Sequence, residues 1–291
     1  IEGASEVLYV DKFGGAASAT AVRAAVTDNG AVQLITSGIR NPPFPARLTA
    51  VSGGTAGDIK AIQVTVIGTA PGGAALTEVL PVFTADTPTT VTGVYVFQTI
   101  TSISIPAHDG TGATTAVGYA AAPRVAATAG IRAAVTDNGA QQVITASIMQ
   151  PECPRNITAT SGGTAGDIKA IQVTIAGTNA EDLAISEVLP VFTVDSATTV
   201  AGTKAFKSVT SITIPAHDGT GATTAIGFGD VIGLKRRRSR KTVKNAYLNG
   251  VLEGTAPTEL FDATNLEGNT VDLNSALNSV PVIVEYFSAD Q

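Results

Sequence analysis

The stretch SGGTAGDIKAIQVT occurs twice, at 52–65 and at 161–174, without a difference and at a displacement of 109 residues. The same displacement relates IPAHDGTGATTA at 105–116 to its second occurrence at 214–225. Over the 99 positions that this displacement aligns from Val22 onward, 63 are identical, far more than a shared β composition produces. A repeat of this length has the size of an independent domain rather than of a solenoid unit. The chain is therefore predicted to contain two tandem homologous domains.

Within each copy, the spacing of apolar residues indicates β-strands. Ile62, Val64 and Val66 alternate with smaller or polar residues, which gives one core face and one polar face. The turn signals at 28–30 (Asp-Asn-Gly) and 53–54 (Gly-Gly) offer the positive φ that tight hairpins need. Seven or eight short strands per copy predict an all-β chain of two antiparallel β-sandwich domains, jelly-roll-like or immunoglobulin-like, with an N-terminal arm and a small C-terminal extension.

The predicted organisation has four parts: an N-terminal strand or arm (1–20), sandwich repeat 1 (21–129), sandwich repeat 2 (130–234), and a basic linker with a C-terminal β extension (235–291). The N-terminal segment is interpreted either as an extra strand on the first sandwich or as an arm that reaches a neighbouring subunit. In the extension, a short helix is expected near 242–248. A final strand at 280–287 is expected to complete a sheet in the chain or in a neighbour.

Composition limits the classes of function. Charged residues make up 14% of the chain, and the net charge of −6 argues against a general nucleic-acid binder. The single cysteine excludes an internal disulfide, and Cys153 occupies the position of Phe44 in the first copy, which favours an apolar filler over a reactive thiol. No apolar run approaches the ~18 residues of a membrane span, so no membrane partner is expected.

The two histidines are the most tempting chemical feature, because each precedes an aspartate, at 108–109 and at 217–218. Neighbouring residues of an extended strand point to opposite faces, and no nucleophile motif accompanies them, so a structural role is favoured over catalysis or metal binding. The turn aspartates lack the spacing of a calcium loop. The loop at 52–57 lacks the ending of a phosphate-binding loop. The sequence thus predicts no enzyme, no cofactor and no metal.

The strongest electrostatic feature is a basic run after Leu234. Seven of the 18 basic residues lie in this segment, counting Lys244. Three roles are open: docking on an acidic protein surface, proximity to nucleic acid, or a solubilising linker. The candidate docking residues are Lys235, Arg236, Arg237, Arg238, Arg240 and Lys241.

The two copies differ most in two pairs of segments, 70–75 against 179–184 and 40–45 against 149–154. Because one backbone frame accepts different side chains there, these segments are predicted to be exposed loops or contact surfaces. If the copies meet different neighbours, the difference is expected to lie in these loops.

The segments RNITATSGGTAGDIKAIQVTIAGTNAEDLAISEVLPVFT (155–193) and KAFKSVTSITIPAHDGTGATTAIGFGD (204–230) resemble structural proteins of tailed-bacteriophage virions, of the head decoration, cement or head-fibre type. The resemblance covers both copies, is closer for the second, and continues into AYLNGVLEGTAPTE and NTVDLNSALNS of the extension. The duplication and the basic run depart from that pattern. No catalytic residues can be carried over from such proteins.

The resemblance implies a virion protein, assembled in the host cytoplasm and bound to the major capsid protein or to neck and portal-proximal proteins, and it favours a symmetric homo-oligomer. A second hypothesis is a bacterial surface or adhesin-like tandem module that binds a carbohydrate or receptor through loops such as 70–75. The third is a hydrolase built on the His-Asp turns.

Overall fold

The computed structural model describes residues 6–109, 111–218, 220–238 and 243–289. The chain is all-β with antiparallel sheets, as predicted. In the described residues, the helical elements are three 3₁₀ turns of three residues each. The chain separates into two compact units. The first-copy unit is Gly14–Ala122, and the second-copy unit combines the residues up to Phe13 with those from Pro123 onward.

The first-copy unit follows β1 (Glu6–Phe13), which belongs to the second-copy unit. Its eight strands are β2 (Ser18–Thr27), β3 (Gln33–Ile35), β4 (Ala46–Gly54), β5 (Thr65–Thr69), β6 (Ala75–Val79), β7 (Thr90–Phe97), β8 (Thr99–Ile105) and β9 (Ala113–Tyr119). They form two four-stranded sheets, in the orders β2-β9-β4-β7 and β3-β8-β5-β6. The number of strands agrees with the seven or eight that the sequence predicts.

The core of this unit lies between its two sheets. Leu48 and Val117 of one sheet and Val66 and Ile103 of the other are buried in one apolar cluster. Alternate residues of each strand point inward, so a short strand contributes an apolar residue at every second position. This arrangement is a β-sandwich.

The second-copy unit repeats the eight strands and adds others. After β1, its strands are β10 (Ala127–Thr136), β11 (Gln142–Ile144), β12 (Arg155–Gly163), β13 (Thr174–Thr178), β14 (Ala184–Val188), β15 (Thr199–Phe206), β16 (Ser208–Ile214), β17 (Ala222–Gly233), β18 (Val243–Leu248), β19 (Val251–Leu252), β20 (Thr258–Leu260), β21 (Thr270–Asp272) and β22 (Val282–Ala289). One sheet has the order β11-β16-β13-β14, and another has the order β15-β12-β17-β21-β20 with β10 also on β17. A third sheet, β1-β22-β18-β19, is called the terminal sheet below.

Strand β17 joins the repeated sandwich to the extension. It has 12 residues where its counterpart β9 has 7, and its last residues pair with β21 through Ile232 and Val271. A second apolar cluster of this unit contains Ile232, Val271, Cys153, Phe13 and Tyr286. Cys153 is buried there, as predicted from its equivalence to Phe44, and burial raises the pKa of its thiol to about 12.

The structure corrects the predictions for the ends of the chain. Strand β1 is neither an extra strand on the first sandwich nor an arm to another subunit, because it pairs antiparallel with β22, from Glu6 opposite Ala289 to Phe13 opposite Val282. The final strand thus completes a sheet within the chain. The helix expected near 242–248 is strand β18, since pairing with β22 overrides local helix propensity. Thr242 itself lies outside the described residues.

The glycine turns have the predicted positive φ but do not form hairpins. Gly30 has φ of 77°, yet β2 pairs with β9 and β3 with β8, so this turn carries the chain from one sheet to the other. At Gly54, with φ of 84°, a Cβ atom would lie 2.1 Å from the carbonyl oxygen of Gly112. Close approach of two backbones therefore explains this repeated glycine. The alternation of Ile62, Val64 and Val66 was predicted to be a strand, but the strand β5 begins only at Thr65.

Candidate functional site

The basic run packs within the second-copy unit. Among the six candidate docking residues, Arg240 and Lys241 lie outside the described residues. Arg238 is only 2% exposed; its Nη1 donates to the carboxylate of Glu259 and its Nη2 donates to the carbonyl oxygen of Leu260 at 2.7 Å. An arginine that is buried and paired in this way is not available to contact a partner.

Lys235 fixes strand β1 through three contacts. Its backbone N–H donates to Asp11 Oδ2 at 2.8 Å, and its Nζ donates to the carbonyl oxygen of Lys12, also at 2.8 Å. The same Nζ lies 4.9 Å from the ring centroid of Phe13, a cation–π distance. Lys235 therefore attaches β1 to the end of the repeated sandwich while its side chain stays largely exposed.

Arg236 and Arg237 contact the two terminal strands, β1 and β22. The Arg236 guanidinium lies 4.4 Å from the ring centroid of Tyr9, and the carbonyl oxygen of Arg237 accepts a hydrogen bond from Ser288 Oγ. Arg237 Nη2 lies 4.0 Å from the carboxylate of Glu181, at the limit of an ion pair. Lys235, Arg236 and Arg237 thus contact the terminal strands, and Arg238 contacts β20.

Asp11 is the polar centre of this attachment. Besides the backbone N–H of Lys235, its Oδ2 accepts a hydrogen bond from the Tyr286 hydroxyl at 2.8 Å. Tyr286 is fully buried, and burial raises the pKa of its phenol, as does the neighbouring Asp11 carboxylate. The hydroxyl therefore stays protonated and donates, which links β22 to β1 by side chains as well as by backbone.

His108 is held inside the first-copy unit by both ring nitrogens and its backbone N–H. Its Nδ1 accepts from the backbone N–H of Lys60 at 3.0 Å, its Nε2 lies 3.0 Å from Thr115 Oγ1, and its own N–H donates to Asp28 Oδ1 at 3.1 Å. Because Nδ1 accepts, we assign the proton to Nε2. Burial lowers the pKa of the ring, against the opposing charge of Asp28. The ring is thus neutral and fully bonded.

His217 repeats this arrangement in the second-copy unit, with the backbone N–H of Lys169 at 3.1 Å, Thr224 Oγ1 at 3.1 Å and Asp137 Oδ1 at 3.2 Å. The following aspartate points outward instead, and Asp218 Oδ2 lies 2.6 Å from the Nζ of Lys169 at the surface. Histidine and aspartate therefore serve separate contacts, as the structural interpretation of these turns predicts.

The turn aspartates likewise bind backbone groups. Asp28 Oδ2 accepts from the N–H of Gly30 at 3.0 Å, and Asp58 Oδ2 accepts from the N–H of Gly112 at 2.9 Å. Across the described ranges, no group of three or more His, Cys, Asp and Glu side chains is placed to hold a metal ion. No helix in the part of the chain that the structure describes has the length and apolarity to span a membrane.

Sequence reasoning missed a buried charged cluster in the second-copy unit. Arg155 is fully buried; its guanidinium donates to the carbonyl oxygens of Arg124 and Gly229 and lies 3.1 Å from the carboxylate of Asp230. Arg124 and Arg155 also flank the ring of Phe228, with distances of 4.9 and 4.5 Å to its centroid. The available signal was a difference between the copies, because the position of Arg155 is Ala46 in the first copy.

The variable segments behave differently. The tips of both 70–75 and 179–184 are exposed, as predicted. Asn179 at the base of the second is buried, and its Nδ2 donates to Glu267 in the extension at 3.2 Å. For 149–154, which was expected to be an exposed loop or a contact surface, exposure is wrong from Pro151 to Pro154: these residues are buried, and Cys153 packs in one cluster with residues of the extension.

Each unit also presents a sheet face without charge. The outer face of copy 1 consists of the outward side chains of the β3-β8-β5-β6 sheet: Leu34, Thr65, Ile67, Thr69, Ala75, Thr77, Val79, Thr99, Thr101, Ser102 and Ser104. The outer face of copy 2 consists of the corresponding side chains: Val143, Thr174, Ala176, Thr178, Ala184, Ser186, Val188, Ser208, Thr210, Ser211 and Thr213. None of these side chains is charged.

Both outer faces carry exposed aliphatic residues at matching positions. Leu34 and Val79 of copy 1, and Val143 and Val188 of copy 2, are each more than half exposed. Isolated exposed valines are ordinary, but the same positions recur on two faces whose remaining side chains are small or hydroxylated. These faces are the candidate contact surfaces of the chain.

No protein-family model matches the sequence, and no curated protein matches it. Among solved structures, one similar chain is that of the PBSX exported protein XepA, with a TM-score of 0.22 and 8% sequence identity. The similarity covers 76% of this chain and 86% of that one. A similarity at this level identifies neither a common fold nor a common function.

Proposed function

We propose that this protein is a structural component of a tailed-phage virion that decorates or cements the capsid, or the head-tail neck, through protein–protein contacts. The observation that carries the proposal is the pair of uncharged outer faces. Burial of a charge at an interface is costly, whereas burial of methyl and hydroxyl groups costs little when the hydroxyls find partners. Interface centres are accordingly depleted of charge.

Several hydroxyls of these faces already have partners within the sheets. Thr69 Oγ1 and Thr99 Oγ1 lie 2.7 Å apart, and Thr101 Oγ1 donates to the carbonyl oxygen of Ile67 at 3.1 Å. In copy 2, Thr178 Oγ1 lies 2.7 Å from Ser208 Oγ. Because these particular hydroxyls are satisfied, their burial under a partner adds no unpaired polar atom, and the remaining hydroxyls are free to bond with the partner.

Two further points support the proposal. The segments at 155–193 and 204–230 resemble virion accessory proteins of tailed phages, and an all-β fold is compatible with a structural role. One chain also carries two related faces, so that attachment to a repeating lattice gains from simultaneous engagement of both. The expected partners are the major capsid protein or the neck proteins near the portal.

The test is cryo-electron microscopy of purified particles produced with this gene intact and with it deleted. We expect density of this chain at regular lattice or neck positions, absent from the deletion particles. A map without such density, when the protein is present in the same lysate, would contradict the proposal. Binding on a glycan array that is lost when 70–75 is exchanged would instead favour the adhesin-like alternative.

The outer faces themselves are tested by a paired substitution, Val79→Lys with Val188→Lys. A lysine on each uncharged face must be desolvated on binding, so occupancy on particles is expected to fall at least about tenfold. Val125→Lys, at an exposed valine outside both faces, is the matched control and should leave occupancy unchanged.

A further inference from the structure

The terminal sheet has two apolar faces, of which one is covered. Phe13, Ala246, Val282, Val284 and Tyr286 point to the same side and are buried against the end of the repeated sandwich. Strand alternation places the residues between them on the opposite side. The described side chains on that side, called the terminal face, are Leu8, Val10, Lys12, Lys244 at the bulge of β18, Asn245, Tyr247, Leu252, Ile283, Glu285 and Phe287.

The register joins these residues into one surface. Lys12, Ile283, Tyr247 and Leu252 lie side by side across the four strands, and Val10 lies opposite Glu285 in the adjacent row. Cross-strand neighbours on one face are about 5 Å apart, so the apolar side chains are in contact distance of one another.

Within the described ranges, several side chains of the terminal face are exposed to solvent. Leu8 is 41% exposed, Val10 49% and Leu252 53%. A sheet with aliphatic and aromatic residues on its second face is unusual unless another surface covers it, because solvent-facing strands normally alternate apolar with polar residues. Most side chains of the two outer faces are Thr or Ser, whereas most side chains of the terminal face are aliphatic or aromatic.

The charges of the terminal face indicate which surface covers it. Among the described side chains it holds two cations, Lys12 and Lys244, and one anion, Glu285, whose Oε2 accepts from Asn245 Nδ2 at 2.7 Å. Charges of both signs therefore lie on this face, on a chain whose net charge is −6. A partner surface of one sign would oppose some of these charges with like charges, whereas a second terminal face, turned about a two-fold axis, supplies counter-charges of both signs.

The size of the terminal face suits a weak pair. The four strands contribute 8, 8, 6 and 2 residues, so with about 3.3 Å per residue and about 4.8 Å between strands the face covers on the order of 400 Å². Two faces together then bury on the order of 800 Å², the size of a weak, concentration-dependent interface.

We propose that the terminal face is the contact surface between two copies of this chain, which forms a two-fold symmetric dimer through β1, β22, β18 and β19. The inference rests on the proposed function for its setting, since a symmetric oligomer is expected on a virion. Its test uses the purified full-length chain alone, so its failure is distinguishable from absence of the chain on particles.

The test is sedimentation velocity over a range of protein concentrations, for the unchanged chain and for Val10→Asp. The unchanged chain is expected to dimerise. Val10→Asp introduces a buried charge twice in a symmetric interface, so the dimer dissociation constant should rise at least about 100-fold. Val94→Asp, at a similarly exposed valine in the first-copy unit, is the matched control and should dimerise like the unchanged chain.

Leu252→Asp, on another strand of the terminal face, provides the second variant in case Val10→Asp unfolds, and the far-ultraviolet circular dichroism of each variant is compared with that of the unchanged chain. Weakened dimers of folded Val10→Asp or Leu252→Asp support the proposal. A monomeric unchanged chain overturns it, as does a dimer that both folded variants retain. A monomeric chain whose particle attachment is lost in Val10→Asp overturns it in favour of a virion partner on this face.

Discussion

The two copies share 63 of 99 aligned residues and the same order of eight strands. They differ in how deeply one equivalent stretch is buried, the one that leads into β4 in the first copy and into β12 in the second. In the second copy, every residue from Pro151 to Ala159 is buried. In the first copy, the corresponding stretch contains the exposed Pro43 and the half-buried Phe44 and Pro45. The second-copy unit includes the extension and β1, and these pack on that stretch.

Several side chains that differ between the copies form contacts within the second-copy unit. Arg155 and Asn179 replace alanines of the first copy and bind groups within the second-copy unit. Lys204 replaces a tyrosine and lies 3.7 Å from Glu267 of the extension. If the copies meet different neighbours, the difference was expected to lie in loops such as 179–184. At these three positions, the side chains instead contact the chain's own second-copy unit.

The largest effect is expected for Arg155→Ala. The change leaves a cavity, unpairs two carbonyl oxygens and removes a partner of Asp230, so the second-copy unit should lose about 3–5 kcal/mol of unfolding free energy. Urea denaturation followed by hydrogen exchange measures each unit separately. The first-copy unit, with alanine at this position already, should keep its protection, and an equal loss in both units would break the comparison.

A smaller effect is expected for Asn179→Ala. Its Oδ1 accepts from the N–H groups of Glu181 and Leu183, and its Nδ2 donates to Glu267. Loss of these buried bonds should cost about 1–3 kcal/mol and speed hydrogen exchange around Leu266. Glu181→Ala, in the exposed part of the same loop, is the control and should change little; faster exchange in both variants would argue against the role of Asn179.

The histidines should give both copies the same pH dependence. Each folded ring has a pKa below its ordinary value of 6.5, chiefly because of burial. As the pH falls below about 6.5, the unfolded chain binds a proton more readily than the folded one, so stability present above that pH is lost on acidification. Thermal unfolding between about pH 7 and about pH 5 should show this loss in both units.

His108→Gln should flatten the pH dependence of the first-copy unit alone, and His217→Gln that of the second-copy unit alone. The groups that face His108 are the Asp28 carboxylate, the Lys60 N–H, the Thr115 hydroxyl and the stacked ring of Phe83, none of which is changed by the substitution. Unaltered pH profiles in both variants would assign the acid sensitivity to the carboxylates instead.

The smallest effect is expected for Lys60→Ala and Lys169→Ala. Each lysine forms a surface ion pair at 2.6 Å, and its hydrogen bond to the aspartate is the main cause that raises its pKa. Solvent screens both pairs, so the midpoints of unfolding should stay within error of the unchanged chain. A drop confined to one unit would reveal a difference between the copies that the geometry does not show.

Local patterns of the sequence predicted much of this fold. The repeat, the strand count, the positive φ of Gly30 and the burial of Cys153 all depend on neighbours in sequence or on the alignment of the copies. Pairings between distant segments were not predictable: β1 and β22 lie at opposite ends of the chain. Strand β18 was mistaken for a helix because only its pairing with β22 decides its conformation.

The candidate sites likewise divide into features that local sequence predicts and features that depend on distant residues. The structural role of the histidines followed from their turns, which are local. The burial of Arg238 and Arg155 did not, because each is held by residues that lie about 20 to 75 positions away in the sequence. Charge alone predicted an exposed docking segment. Arg238 is instead buried and paired with Glu259, and Arg155 is buried and paired with Asp230.

The second copy, the extension and β1 form one self-contained unit, and the first copy is inserted into its sequence between Phe13 and Pro123. Gly15 and Ala122, next to the two junctions, exchange backbone hydrogen bonds of 2.9 and 3.0 Å, so the inserted segment leaves from and returns to one place. The most direct test is thermal unfolding, with hydrogen exchange, of a chain in which 14–122 is excised and Phe13 is joined to Pro123. We predict one cooperative transition, with β22 still protected by β1. A chain that is unfolded, or whose β22 exchanges freely, would contradict the claim.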